Sequence, residues 1–486
     1  MNRGVNLDAD TCFRALATRD ERFDGVFFVG VRTTGIYCRP VCRARTPGAD
    51  RCRFYLHAAE AERDGFRACF RCRPELAPGS ASVDAVPRIA AAAVARIEAG
   101  ALNEGSLDDL ARELGVTSRH IRRAVQTELG LSPVELAQSR RLALAKQLLH
   151  DTRMPMAEIA FASGFASVRR FNAAFHARYG RAPSSLRRDT TTRARETIAV
   201  RLDFRPPLDW DGLLGFFAAR ATPGVESVRG DVWLRTARAG AHRGWVSVTP
   251  IAGRPALRAE ISSSLAPALM EVVARLRRVF DLDAQPRIIA AHLAKDRRLA
   301  ASVRARPGLR VPGSFEGFDA AVRAILGQQV SVAAATTLSG RLAAAFGEPI
   351  ATPHGALVTL APSASRLAAA SETALSAIGL TRARAATLRG LSRAVVSGAL
   401  RLDRPAPVDA TLEALLALPG IGDWTAQYIA MRALGWPDAF PAGDLGIRKA
   451  LGMIPAKAAR ELAERWRPWR AYAALHLWST LSKGTR

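Results

Sequence analysis

Four cysteines near the start of this chain constrain its fold more than any other feature. Cys38, Cys42, Cys69 and Cys72 read Cys-x3-Cys, then 26 residues, then Cys-x2-Cys. Two short loops with that spacing converge on one ion and offer it four sulfurs, the donor set of tetrahedral Zn2+. No cysteine lies beyond Cys72, so all thiol chemistry is confined to the N-terminal region. Cys12 and Cys52 fall outside the pattern and read as small apolar residues. Cysteines grouped this way fit a reducing compartment and a metal rather than a disulfide framework.

The chain has 486 residues, so several domains are expected. Apolar residues make up 49% and charged residues 23%, which describes a globular protein rather than a disordered one. The formal net charge of +26 calls for a polyanionic partner, and nucleic acid is the first candidate. The first residues carry no apolar stretch after their charges, and there is no run of 18 apolar residues, so neither a signal peptide nor a membrane span is expected. A cytoplasmic protein is the resulting expectation.

Composition and periodicity divide the chain into four parts: 1–78 with the cysteines, 86–188, 197–300 and 301–486. Pro74 to Ser80 and the basic run Arg187 to Arg195 read as linkers. Residues 88–188 carry helical periodicity and no strand signal. Ile198, Val200, Leu202 and Phe204 alternate, as do stretches around 232–234, 245–248 and 257–261, which predicts a small antiparallel sheet. From about residue 265 onward the pattern is helical again. The expected fold is multidomain and mainly α: a zinc-bound α+β domain, an all-α tandem helix-turn-helix, a small sheet with helices, and an all-α C-terminal domain.

The segments Val31 to Cys42 and Gly65 to Pro74 resemble the N-terminal domain of the Ada family, which repairs methylphosphotriesters in DNA. The resemblance implies Zn2+ on all four cysteines and assigns Cys38 as the sulfur that takes the methyl group; spacing alone does not choose among the four. The chemistry is coherent. Zinc holds a thiol deprotonated, so the bound thiolate is a standing nucleophile. Methylation would turn a doubly negative site into a singly negative one, which weakens repulsion from a DNA backbone. Arg39, Arg43, Arg45, Arg67, Arg71 and Arg73 flank the cysteines and could hold phosphates.

Ser106 to Arg123 reads as a helix-turn-helix. Ser106 and Asp109 form a capping box, Leu107, Leu110 and Leu114 face a core, Gly115 makes the turn, and Thr117 or Ser118 caps the second helix. A second such unit spans Met156 to Pro183, with a Gly164-Phe165 turn and a Phe171-x3-Phe175 pair. Two units joined by one helix resemble the DNA-binding domain of the AraC family. Candidate DNA readers are Ser118, Arg119, Arg122, Ser167, Arg169 and Arg170.

Leu418-Pro419-Gly420-Ile421-Gly422 is a helix-hairpin-helix signature whose glycines leave backbone N–H groups free to bind a phosphate. A Gly/Pro-rich loop ending in Asp444 follows. Together with the stretches at 205–216, 306–313, 324–332 and 464–470, these residues resemble the helix-hairpin-helix DNA glycosylases, and most closely their AlkA branch for alkylated bases. The resemblance implies that Asp444 stabilises oxocarbenium character on the sugar. Trp424, Tyr428, Phe216 and Trp478 match the aromatic pocket for a flipped, cationic alkylpurine such as 3-methyladenine. Trp424 stands where bifunctional relatives carry a nucleophilic Lys, so a monofunctional hydrolase is expected. Leu418, Gly420, Gly422, Gln329 and Arg45 complete the candidate DNA contacts. Two positions depart from the branch: Gln329 replaces an apolar wedge, and Leu445 an aromatic residue.

The expected whole is an alkyl sensor, DNA-binding activator and glycosylase in one chain. The alternative is a glycosylase whose first domains only grip DNA. Expected partners are alkylated and promoter double-stranded DNA, with RNA polymerase as a further candidate, no membrane, and a monomeric state.

Overall fold

In a computed structural model, residues 8–79, 88–186, 197–403 and 406–481 are described. The basic run predicted as a second linker, and Ser80 of the first, lie outside them. The protein is multidomain and mainly helical, with small sheets. It divides into two compact units. The first holds Met1–Pro206, Ile251–Ala274 and Leu282–Ala284; the second holds Pro207–Pro250, Arg275–Asp281 and Gln285–Arg486.

After helix Ala9–Thr18 the first unit forms a four-stranded sheet. Its strands run in the order Cys52–Tyr55, Phe28–Val31, Ile36–Cys38, Arg67–Ala68. The first two pairings are antiparallel and the last is parallel. That parallel pairing explains how the two cysteine loops meet. Tyr37 lies opposite Ala68, and the Cys69 amide donates to the Tyr37 carbonyl at 3.0 Å. Cys38 and Cys69 therefore leave adjacent strands side by side.

The helical part of this unit matches its capping signals. Ser106 and Asp109 form the capping box of helix Leu107–Leu114, and Gly115 ends that helix in the left-handed region. Thr117, not Ser118, caps helix Ser118–Leu129. Helix Pro133–Asp151 joins the second pair, Met156–Ala162 and Val168–Tyr179. Gly164 turns between them at φ +83°, and a Cβ there would meet the Asn103 side chain at 2.3 Å. Phe165, Phe171, Phe175 and Tyr179 stack in sequence with ring centroids 5.3, 5.6 and 4.5 Å apart. Strands Thr197–Asp203 and Ala256–Ser262 pair antiparallel in the same unit.

The second unit holds the meander Glu226–Arg229, Val232–Ala239, His242–Pro250. The first of these strands has no alternation to announce it. Trp210, Phe217, Trp233 and Phe280 pack there, with Trp233 and Phe280 at 5.2 Å. The rest is helical around a core that includes Phe318, Ile325, Leu388 and Ile429. One correction applies to the all-α expectation. Glu348–Pro349 and Thr359–Leu360 form a short antiparallel ladder, too brief to leave a period in the sequence. Among the described residues no helix is long and apolar enough to cross a membrane.

Candidate functional site

The sulfurs of Cys38, Cys42, Cys69 and Cys72 all lie within 4.8 Å of one another. Cys38, Cys42 and Cys69 are buried and Cys72 is half-buried. Four thiols this close compete for protons. Hydrogen bonding among them drives Cys38 and Cys72 upward and Cys42 down to about 7, so the metal-free cluster cannot be uniformly ionised. A dication at the centre resolves that conflict, and a tetrahedral four-sulfur set suits Zn2+. Cys12 is buried beside the cluster, where burial raises its thiol to about 11. Cys52 donates to the Gly48 carbonyl at 3.4 Å.

Both cysteine loops are anchored by buried charge, which sequence reading missed. The Arg39 amide donates to the Cys72 sulfur at 3.4 Å. Its guanidinium, 6% exposed, pairs with Asp24 and reaches Asp203 at 2.9 Å. The second loop is tied to helix Pro133–Asp151. Lys146, fully buried, donates to Glu75 at 2.8 Å and to the Cys69 carbonyl at 3.4 Å, and Arg73 pairs with Asp151 at 2.6 Å. Arg39 and Arg73 are therefore structural, not candidate phosphate ligands: their charge is spent on carboxylates. Arg43, Arg45, Arg67 and Arg71 remain exposed. So do Arg119, Arg122, Arg169 and Arg170, with Ser118 and Ser167 half-buried at the starts of the second helices.

In the second unit, Gly420 and Gly422 are exposed on the hairpin between helices Val408–Leu416 and Asp423–Arg432, while Leu418 packs on the core. Gly420 sits at φ +85°, and a Cβ there would lie 2.0 Å from the Thr387 hydroxyl oxygen. Gln328 ties the preceding loop to this hairpin, donating to the Gly420 carbonyl at 2.8 Å and to the Thr425 hydroxyl at 3.0 Å. Beside it Gln329 is exposed and left-handed, at φ +53°.

Asp444 caps helix Leu445–Ala450, accepting from the Ile447 amide at 2.9 Å. Capping is not its whole environment. The Trp424 indole N–H donates to one of its oxygens at 2.9 Å and the Trp478 indole to the other at 2.8 Å. Two neutral donors thus fix both oxygens without cancelling the charge. Trp424 stacks on Tyr428 at 5.5 Å with 17° between planes, and Trp478 lies 6.5 Å from Tyr428. Phe216 joins through Arg432, whose guanidinium lies 4.6 Å from that ring and donates to the Tyr428 hydroxyl at 2.9 Å. Gly446 is a further requirement: an added Cβ would come within 3.0 Å of an Asp444 oxygen and 3.1 Å of the Trp478 ring. Leu445 points outward, 55% exposed.

Family models match in four places. They are the metal binding domain of Ada at residues 11–75, a helix-turn-helix domain at 110–189, the AlkA N-terminal domain at 199–316, and the HhH-GPD superfamily of base excision DNA repair proteins at 322–468. A Mycobacterium tuberculosis protein described as a probable bifunctional transcriptional activator/DNA repair enzyme AlkA is 41% identical across 98% of this chain and 97% of its own length. The chain belongs to this AlkA activator/repair family. Escherichia coli DNA-3-methyladenine glycosylase 2 is 41% identical over 57% of this chain and 96% of its own. The bifunctional transcriptional activator/DNA repair enzyme Ada of Escherichia coli is 32% identical over 31% of this chain and 41% of its own. A solved 3-methyladenine DNA-glycosylase from Archaeoglobus fulgidus shares the fold, with TM-score 0.51 and 23% identity over 57% of this chain and 97% of that one. As a member of the AlkA activator/repair family, the chain joins a zinc-binding domain, a helix-turn-helix domain and a helix-hairpin-helix DNA glycosylase. Zn2+ is its metal and double-stranded DNA its partner.

Proposed function

We propose that the second unit hydrolyses the N-glycosidic bond of alkylated bases of the 3-methyladenine type, with Asp444 as the catalytic carboxylate. The observation that carries this reading is the pair of indole N–H groups on its two oxygens. A carboxylate held by neutral donors keeps its negative charge and its position. It can then stabilise positive charge developing on the sugar and orient water. The flipped base would lie among Trp424, Tyr428, Phe216 and Trp478, with Gly420 and Gly422 holding the DNA backbone by their amides and Gln329 at the opened stack. Trp424 offers no amine, so the reaction is hydrolytic without strand cleavage. The test is single-turnover release of 3-methyladenine from duplex DNA. Retained release by Asp444→Asn removes the assignment.

In the same proposal Cys38 accepts methyl from DNA methylphosphotriesters. Bound zinc supplies the deprotonated state of the four sulfurs. The Cys38 sulfur attacks the methyl carbon, the O–CH3 bond breaks, and its electron pair stays on the phosphate oxygen, leaving a diester anion and a thioether. The exposed Arg43, Arg45, Arg67 and Arg71 would receive that backbone. The helix-turn-helix units, through Arg119, Arg122, Arg169 and Arg170, carry the promoter and hence activation with RNA polymerase. Cys38 is 8% exposed as a residue and Cys72 is half-buried, so burial by itself does not choose between them. Peptide mapping after incubation with methylphosphotriester DNA discriminates: a methyl on Cys38 supports the reading, and a methyl on any other residue, or none, overturns it.

A further inference from the structure

The aromatic pocket is not the purely π-faced receptacle that a cationic base would favour. Three arginines crowd its polar end. Arg432, on the same helix as Tyr428 and one turn on, donates to the Tyr428 hydroxyl at 2.9 Å and to the Gly313 carbonyl at 3.0 Å. Its guanidinium lies 4.6 Å from the Phe216 ring centroid, and that of Arg220 lies 3.9 Å from the same ring. Arg323 is held nearby by the hydroxyls of Ser339 and Thr336, at 3.1 and 2.8 Å. None of the three forms an ion pair among the described residues. Glu226, the acid that senses Arg432, accepts from the Trp233 indole at 2.5 Å and neighbours Arg235 at 3.7 Å.

The concentration of positive charge shows in its neighbours. Burial pushes the Tyr428 phenol up, but Arg432, Arg220 and Arg323 outweigh it and hold the phenol below its ordinary value. Burial and the two other guanidinium groups bring Arg323 down to about 10. Phe216, expected as a face for a cationic base, already has guanidinium groups within cation–π distance.

We propose that Arg432 is a specificity-determining residue, whose charge, set between Tyr428 and Phe216, weights the pocket against cationic bases and toward bases that depart as anions. This rests on the glycosylase reading above. A cationic alkylpurine enters positively charged and leaves neutral, so a fixed cation opposes its binding. A neutral lesion such as hypoxanthine sends the glycosidic electron pair onto the base as it leaves. The same fixed cation stabilises that developing charge. One residue therefore moves the two substrate classes in opposite directions, which a merely structural role cannot do.

The test measures single-turnover excision of 7-methylguanine, a cation, and of hypoxanthine, a neutral base, from otherwise identical duplexes with the full chain. Arg432→Gln keeps a donor for Tyr428 but removes the charge; Arg432→Lys keeps the charge. The 7-methylguanine to hypoxanthine rate ratio should rise on the order of tenfold in Arg432→Gln and stay near wild type in Arg432→Lys. Arg220→Gln, which takes a second charge from the same ring, should shift the ratio the same way and keeps the test open should Arg432 variants misfold. An unchanged ratio, with both substrates slowed alike, overturns the assignment. Wild-type protein that releases neither base sinks the glycosylase reading and this one with it.

Discussion

The cysteine cluster and the Asp444 pocket solve opposite electrostatic problems. The cluster gathers four ionisable sulfurs within 4.8 Å and depends on a cation brought from outside the chain. The pocket is built on the Asp444 carboxylate, fixed by two indoles and a backbone amide, with positive charge nearby as Arg220, Arg323 and Arg432. The scaffolds differ in the same sense. Buried ion pairs clamp the cluster's loops, whereas neutral indole donors hold Asp444. On the proposed reading the first site's reagent is a thiolate, held by a metal and rigid loops. On the same reading the second site's reagent is a carboxylate, held by two neutral indole donors.

The comparison breaks first, and hardest, at the metal. Cys42→Ala should abolish stoichiometric zinc and unfold the N-terminal module, since structural zinc contributes about 10 kcal/mol in small domains; metal analysis and proteolysis check this. Glycosylase activity should survive in that variant. Asp444→Asn is the mirror case. It should lower base release on the order of a thousandfold, about 4 kcal/mol, while zinc content stays unchanged.

Smaller effects sharpen the contrast between ionic and neutral support. Asp203→Ala removes one of two carboxylates on buried Arg39 and should destabilise the first unit by about 3 kcal/mol in chemical denaturation, with the base-release step unaffected. In the second unit, His476 is buried, with Nδ1 3.0 Å from the Ser302 hydroxyl; burial lowers it from 6.5 to about 4. Above pH 6.5 both folded and unfolded forms are neutral and nothing is lost. As pH falls from 6.5 toward 4 the unfolded chain takes the proton first, so stability should fall by up to about 3 kcal/mol. Urea titrations across that range should show the loss, and His476→Gln should flatten it. Least of all, Gly446→Ala pushes on Asp444 and Trp478 and should slow excision about tenfold with little change in Tm.

The two sites were not equally legible in sequence. All four zinc ligands lie in two short motifs, so spacing alone announced them. The parallel pairing of Tyr37 with Ala68, which brings the motifs together, left no such mark. The helix caps were readable because capping is local: Ser106, Asp109 and Thr117 act within three residues of themselves. Arg39 looked like a phosphate ligand because six flanking arginines are indistinguishable by type. Burial against Asp24 and Asp203 separates it from them. Nothing in the spacing of Arg432, one turn from Tyr428, marks it as a pocket residue.

The sulfur donor set, the capped helices, the hairpin glycines and Asp444 are legible along the chain, because each depends on residue chemistry and backbone conformation within a few positions. Only the tertiary structure decided which charges are spent on structure and which face the sites. A charge's fate depends on desolvation and on partners distant in the chain, such as Asp203 for Arg39 or Phe216 and Gly313 for Arg432, and no local pattern records those distances.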